Sequence, residues 1–125
     1  MPSMPRLHHV NLGVYEDALD AQALFLTDVL GFRRVDPGAE IAARGANWFE
    51  DDNGAQVHLS RDPEHRPAAR AHVAIECGSE LDTIEARLAN AGRDAEVITF
   101  DGMRVVICTD PSGNRWELRG ERVPA

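Results

Sequence analysis

Lysine is absent from the sequence, and all 13 of its basic residues are arginines. This absence excludes Schiff-base chemistry on a lysine and any phosphate-binding loop that needs one. The only two cysteines, Cys77 and Cys108, are too few for a disulfide framework or a cysteine-based zinc site. Nucleophile-elbow, P-loop and dinucleotide-binding motifs are also missing. Any reaction that this chain carries out must therefore depend on other residues.

Positive charge and long apolar runs are both scarce. The chain has 21 acidic residues against 13 basic ones, which gives a formal net charge of −8. Because such a chain repels phosphate backbones and anionic lipid, we expect no nucleic-acid partner and no membrane partner. No apolar run approaches the roughly 18 residues of a membrane span, and the N-terminus lacks the apolar core of a signal peptide. We expect a cytoplasmic protein with a single domain, residues 1–125.

An internal repeat organises the chain. The segments HHVNLGV (residues 8–14) and AHVAIEC (residues 71–77) are each followed by a helical pattern and later by a short strand pattern. Those later strands are QVHLS (residues 56–60) and RWELR (residues 115–119). We therefore predict an α+β fold made of two tandem βαβββ modules, which form a cup-shaped mixed sheet. The modules are residues 6–60 and 71–120, and the charged, proline-containing residues 61–70 link them.

Local signals predict where the two helices begin and end. The first helix should follow Asp17 as a cap, carry one apolar stripe from Leu19 to Leu30, and stop at Gly31. The second should begin at a capping box formed by Ser79 and Asp82, and stop at Gly92. Asp101-Gly102 is typical of a two-residue hairpin between the next two strands.

Strand alternation predicts a common site. Side chains alternate between the two faces of a strand, so a polar residue between apolar ones lies on the face away from the core. Four residues have this position at equivalent points of the repeat, and three imidazoles with one carboxylate suit a divalent metal. If the two sheets curl toward each other, the four side chains converge in one cup. They are His9, His58, His72 and Glu117.

Structural roles are the alternative for each of these residues taken singly. A strand histidine is more often a hydrogen-bonded surface residue than a ligand, and a strand glutamate is usually solvated. His8 and His65 are interpreted as structural or solvent-facing, and Tyr15 as a loop anchor or as an acid–base group at the rim of the cup. Four such positions in a two-fold repeat nevertheless favour the metal site.

The chain resembles the vicinal oxygen chelate superfamily, which includes glyoxalases, extradiol dioxygenases and bleomycin resistance proteins. The resemblance is carried by HHVNLGVYEDALDAQALFLTDVLGFRRV, by AHVAIE and by the closing DPSGNRWEL, and it extends from about Leu7 to Arg119. It implies one divalent metal ion (Zn, Ni, Co, Fe or Mn) held by His9, His58, His72 and Glu117. It also implies a homodimer, in which ligands are sometimes contributed by both chains.

The leading hypothesis is a metal-dependent enzyme of the lyase or isomerase type that acts on a small oxygenated substrate. Glu117 and His58 are the candidate catalytic groups, either as ligands or as bases. Asn11, Trp48, Arg104 and Arg119 are candidate substrate-binding residues on the strands of the cup.

Two alternatives stay open. An iron(II) extradiol-type dioxygenase would use only His9, His72 and Glu117, with open positions for a catechol and oxygen. A non-catalytic protein that binds an antibiotic or another ligand is the second, although aromatic residues make up only 6% of the chain.

Overall fold

A computed structural model describes residues 4–122. In chain order it contains β1 (His9–Val14), α1 (Leu19–Leu24), β2 (Arg33–Val35), α2 (Ala39–Ala42), β3 (Asn47–Glu50), β4 (Gln56–Arg61), β5 (His72–Gly78), α3 (Leu81–Asn90), β6 (Ala95–Phe100), β7 (Met103–Thr109) and β8 (Arg115–Arg122). No helix among these residues is long and apolar enough to cross a membrane.

The strands form two four-stranded sheets with the same topology. The first sheet has the order β1-β4-β3-β2 and the second the order β5-β8-β7-β6. In each sheet the first and last strands of the module pair in parallel, and the remaining pairs are antiparallel. The repeat therefore folds as two equivalent mixed sheets, and the predicted α+β class is confirmed.

Both helices stop where the sequence predicts, but neither begins with the predicted cap. Gly31 and Gly92 have φ values of +86° and +70°, the left-handed conformation in which glycine ends a helix. The N-cap residues are Ala18 and Glu80, and neither helix has a side-chain cap hydrogen bond, so the predicted caps at Asp17 and Ser79 are wrong. Packing against the sheets, rather than a capping side chain, holds these short helices.

A π-helical turn (Phe25–Val29) extends α1, where a continuous α-helix was expected. Its wider winding is closed by the Leu30 amide, which donates to the Phe25 carbonyl at 3.1 Å. The turn buries Phe25, Leu26 and Val29 together. The extra residue in the winding thus keeps three apolar side chains on the core face.

One apolar core is shared by the two modules. Trp116 of β8 is fully buried, and its ring contacts Phe25 and Phe32 of the first module, with ring centroids 5.9 and 6.5 Å apart. The apolar residues of β1, β4, β5 and β8 belong to this same cluster. The prediction of which alternate residues in these strands face the core is therefore correct. The opposite face of each sheet is left for polar side chains.

The turn before β8 joins the modules through a buried carboxylate. Asp110 is 1% exposed and accepts hydrogen bonds from Gln22 Nε2 of α1 and from Trp116 Nε1, as well as from the backbone amides of Ser112 and Asn114. Asn114 Nδ2 in turn donates to the Gly13 carbonyl at the end of β1. The turn therefore fixes the two modules relative to each other.

The segment between the modules packs against both of them. His65 Nε2 lies 2.9 Å from the Ser112 carbonyl oxygen, and its ring approaches Gly13 so closely that a Cβ there would lie 2.6 Å from Nδ1. Pro67 leaves equally little room at Gly113. The segment is thus part of the junction between the modules as well as their covalent connection.

We predict that Asp110→Asn destabilises the protein by about 1.5–3 kcal/mol, because an amide nitrogen would replace one acceptor of a buried network. Urea denaturation followed by circular dichroism measures this change. Asp52→Asn is the matched control, since Asp52 forms only an exposed ion pair with Arg33 and such pairs contribute little. Equal midpoints for the two variants would contradict the role given to Asp110.

Candidate metal centre

Three rings stack across the polar face of the first sheet. His9 on β1 and His58 on β4 lie with ring centroids 3.9 Å apart and 14° between their planes. Trp48 on β3 covers the other face of His58 at 4.4 Å and 8°. Strand register brings them together, because Trp48 is directly opposite His58 in the β3–β4 ladder. The first module thus supplies two imidazoles side by side, with the second one held by an indole.

His58 is the more enclosed of the two imidazoles. It is 9% exposed, and its Nε2 lies 2.8 Å from Gln56 Oε1, two residues away on the same face of β4. Burial, and then the neighbouring charges of His9 and His8, lower the pKa of His58 below its usual value. The ring is therefore biased toward its neutral form, which is the form that binds metals.

The second sheet brings an imidazole and a carboxylate together. His72 Nε2 on β5 lies 3.9 Å from Glu117 Oε1 on β8. His72 Nδ1 is 2.9 Å from the Arg70 carbonyl oxygen, so Nδ1 donates to that oxygen and the ring is held with Nε2 on the side of Glu117. Arg119 donates to Glu117 Oε2 at 2.8 Å and also pairs with Glu76. Both candidate metal ligands of the second module are thus oriented by hydrogen bonds.

The two donor pairs do not meet within one chain. Among residues 4–122, no three His, Cys, Asp or Glu side chains lie close enough to hold a metal ion. The pairs belong to separate sheets whose apolar faces share one core, so each pair lies on the far side of its own sheet from that core. The structure brings His9 to His58 and His72 to Glu117, but it does not bring all four together.

Three of the four predicted substrate-binding residues lie beside the candidate metal ligands. Asn11 is opposite His58 in the β1–β4 register and accepts a hydrogen bond from Ser60 Oγ. Trp48 covers the His58 ring, and Arg119 holds Glu117.

The prediction that Arg104 binds substrate in the cup is wrong. Arg104 lies on the helix-facing side of β7, with the parity of the core residues Val106 and Cys108, and it pairs with Asp82 and Glu85 of α3. It therefore cannot line the polar face on which Glu117 lies.

Several residues near the donors were not singled out from the sequence. Gln56 and the Arg70 carbonyl orient the two imidazoles, and Arg44 and Arg61 line a cavity of about 450 Å³ next to His58 and Trp48. The position of Gln56 could have been found, because residues i and i+2 of a strand share a face. Arg44 lies in the loop before β3, where no periodicity indicates direction.

Of the other residues considered from the sequence, His8 lies beside His9, whereas His65 and Tyr15 lie at the junction between the modules. His8 is exposed and its Nδ1 lies 2.9 Å from His9 Nδ1, whereas His65 is at the junction between the modules. The Tyr15 ring meets the His65 ring edge-on at 4.8 Å, and the Tyr15 amide donates to Ser112 Oγ. Of the two roles considered for Tyr15, its position fits the loop anchor.

Comparison with known proteins agrees with this arrangement of paired sheets. The profile of the Glyoxalase/Bleomycin resistance protein/Dioxygenase superfamily matches residues 6–118. The chain belongs to this superfamily, as its resemblance to the vicinal oxygen chelate proteins indicated. No curated protein sequence matches it.

Solved structures share the fold at low sequence identity. A glyoxalase family protein from Bacillus anthracis is similar with a TM-score of 0.82 at 20% identity, over 97% of this chain and 98% of that one. A glyoxalase/dioxygenase from Nostoc punctiforme has a TM-score of 0.79 at 22% identity, over 96% and 92%. A mutant of the fosfomycin resistance protein FosX from Listeria monocytogenes, in complex with Mn(II) and a dihydroxypropylphosphonic acid, has a TM-score of 0.74 at 17% identity, over 94% and 93%.

The two cysteines are expected to be unreactive in the native protein. Burial raises the pKa of both the Cys77 and Cys108 thiols to about 11, so at pH 8 only on the order of one thiol in a thousand is ionised. We predict slow alkylation by iodoacetamide at pH 8, with a rate that rises about tenfold per pH unit, measured by mass spectrometry. The urea-unfolded chain is the control, and equal rates in the two states would contradict this prediction.

Proposed function

We propose that this chain is a metal-dependent enzyme of the lyase or isomerase type, acting on a small oxygenated substrate in a site completed by a second copy of the chain. The observation that carries the proposal is the pair of oriented donor sets, His9 with His58 and His72 with Glu117, on equivalent strands of a two-fold repeat. Three imidazoles and one carboxylate suit divalent Zn, Ni, Co, Fe or Mn. The FosX neighbour, which was solved with Mn(II), supports a divalent metal in this fold.

A homodimer explains why each chain carries two half-sites. Asp110 and the shared core fix the modules so that their donor pairs lie on separate sheet faces. The donors of one module can meet those of the other only if a second chain supplies the missing pair. A two-fold symmetric dimer would then form two equivalent sites, each with His9 and His58 from one protomer and His72 and Glu117 from its partner.

A bound divalent metal would supply Lewis acidity toward adjacent oxygens of the substrate. The residues of this chain would hold and move protons around it. Glu117 is 17% exposed, and Arg119 holds its Oε2, which leaves Oε1 on the side of His72. Oε1 is thus the atom that would accept a substrate proton and return it. Asn11 and Trp48 would orient the substrate beside His58.

Metal content per chain, measured by inductively coupled plasma mass spectrometry, tests the site directly. We expect near-stoichiometric divalent metal in the wild type and its loss in both His9→Ala and Glu117→Ala, because each variant removes one donor from a shared set. Arg104→Gln is the matched control, since Arg104 lies on the opposite face of its sheet, and its metal content should be unchanged. Absence of metal after reloading with each candidate ion would overturn the proposal and favour a ligand-binding protein.

A mixed dimer tests whether two chains share the site. One chain carries His9→Ala with His58→Ala, and the other carries His72→Ala with Glu117→Ala; two affinity tags isolate the dimer that contains one of each. A shared site predicts one intact site of the two, so the mixed dimer should bind about half the metal of the wild type while each parent variant binds none. Sites contained within single chains predict no metal in the mixed dimer, and that result would contradict the shared arrangement.

A dioxygenase is the second candidate, and one contact favours it. His58 Nε2 is already engaged by Gln56 Oε1, so His58 can be a partner rather than a ligand. His9, His72 and Glu117 would then form the two-histidine, one-carboxylate set of iron(II) oxygenases. Lyase or isomerase chemistry predicts no oxygen uptake with a panel of catechols after anaerobic iron loading. Uptake in an oxygen electrode, lost in Glu117→Gln, would establish ring cleavage instead.

A further inference from the structure

We infer that the cavity beside His58 binds an anionic group of the substrate, a carboxylate or a phosphate-type oxyanion, through Arg44 and Arg61. This inference rests on the proposed function, in which one end of the substrate binds the metal. It narrows the chemical class of that substrate. A small oxygenated molecule that is also an anion would extend from the donor pair into this cavity.

The cavity is continuous with the candidate metal centre. Its volume of about 450 Å³ lies within the range of small-molecule sites, and His58 and Trp48 form part of its wall. Asn11 on β1 and Ser60 on β4 lie on the polar face of the first sheet, whereas Arg61, at the end of β4, has the parity of the core residues Val57 and Leu59 and borders the cavity together with Leu59. A ligand in the cavity would therefore be adjacent to the His9–His58 pair.

The charge of the cavity is opposite to that of the protein. The chain has a net charge of −8, yet the described residues that line this cavity include two arginines and no aspartate or glutamate. Guanidinium groups remain protonated at any working pH and bind carboxylates and phosphates through paired hydrogen bonds. The local field thus favours an anion that the rest of the surface would repel.

The two guanidinium groups have no competing partner within residues 4–122. Neither Arg44 nor Arg61 forms an ion pair or a side-chain hydrogen bond there. Four arginines in the described part of the chain do pair with carboxylates, namely Arg33, Arg104, Arg119 and Arg122, and none of these lines the cavity. The charges at the cavity are therefore available to a ligand.

Neutral hydrogen-bonding groups support the same interpretation. Ser60 Oγ donates to Asn11 Oδ1, which leaves the Asn11 amide hydrogens for a ligand oxygen. The loop that carries Arg44 is held in place, because Asn47 Nδ2 donates to the Gly45 carbonyl while Arg34 donates to Asn47 Oδ1. The cavity thus combines two cations with a neutral donor on an anchored loop.

Anion titrations test the inference with inorganic phosphate and benzoate as probes. The probes are added to the protein as purified and again after chelator treatment, so that binding to a metal is separated from binding to arginine. Tryptophan fluorescence is a suitable readout, because Trp48 lines the cavity and the only other tryptophan, Trp116, is fully buried. Isothermal titration calorimetry gives an independent affinity.

The variants are R44Q, R61Q and the double variant, with R66Q as the matched control because Arg66 is exposed and does not line the cavity. We expect at least one probe to bind the chelator-treated wild type and the double variant to lose about tenfold or more in affinity, since hydrogen bonds to charged groups are the strong ones. R66Q should bind as the wild type does. Binding of phosphate alone or benzoate alone would support the inference and identify the group.

Two results would overturn it: no measurable binding of either probe, or equal affinity in the wild type and the double variant. Metal content measured on the same samples distinguishes this inference from the proposed function. A protein that retains its metal but binds neither anion contradicts only the inference about the cavity. A protein that binds anions through Arg44 and Arg61 but holds no metal contradicts only the proposed metal chemistry.

Discussion

The packing of two modules on one shared core is the constraint on which the rest of the structure depends. Trp116 from the second module lies against Phe25 and Phe32 of the first, and the Asp110 carboxylate joins that indole to Gln22. Because side chains alternate along a strand, the burial of one face determines what the other face presents. The outward direction of the four candidate ligands is thus a consequence of how the core is built.

Alternation also explains which parts of the site could be predicted from the sequence. In β1, β4, β5 and β8 apolar core residues alternate with residues of the other face, so the face of each candidate ligand follows from this alternation, and the structure agrees. β7 offers no such contrast, because the run Val105–Val106–Ile107 is apolar on both faces. Alternation therefore does not indicate the face of Arg104, which only its contacts with Asp82 and Glu85 of α3 reveal.

Distances between elements are a different kind of information, and the sequence does not contain them. The repeat indicated two equivalent donor pairs, but their separation depends on how the modules pack, which is decided by contacts such as that of Gln22 with Asp110, 88 positions apart. The orientation of His72 by the Arg70 carbonyl depends on a backbone atom, which no side-chain pattern reveals. The predictions of caps at Asp17 and Ser79 are wrong for a related reason, since packing against the sheets stabilises the helices without them.

The absence of lysine has a consequence for how charge is used. A guanidinium group offers several donors in fixed directions, and Arg119 contacts two carboxylates with them: Nη1 donates to Glu117 and Nε pairs with Glu76, within a chain of net charge −8. Repulsion from such a chain acts over roughly the Debye length, about 8 Å at physiological salt, while a cavity lined by two guanidinium groups acts at contact distance. An anion would therefore gain no long-range steering toward this protein. Its selection would depend on the fit between its charged group and the guanidinium groups that line the cavity next to His58.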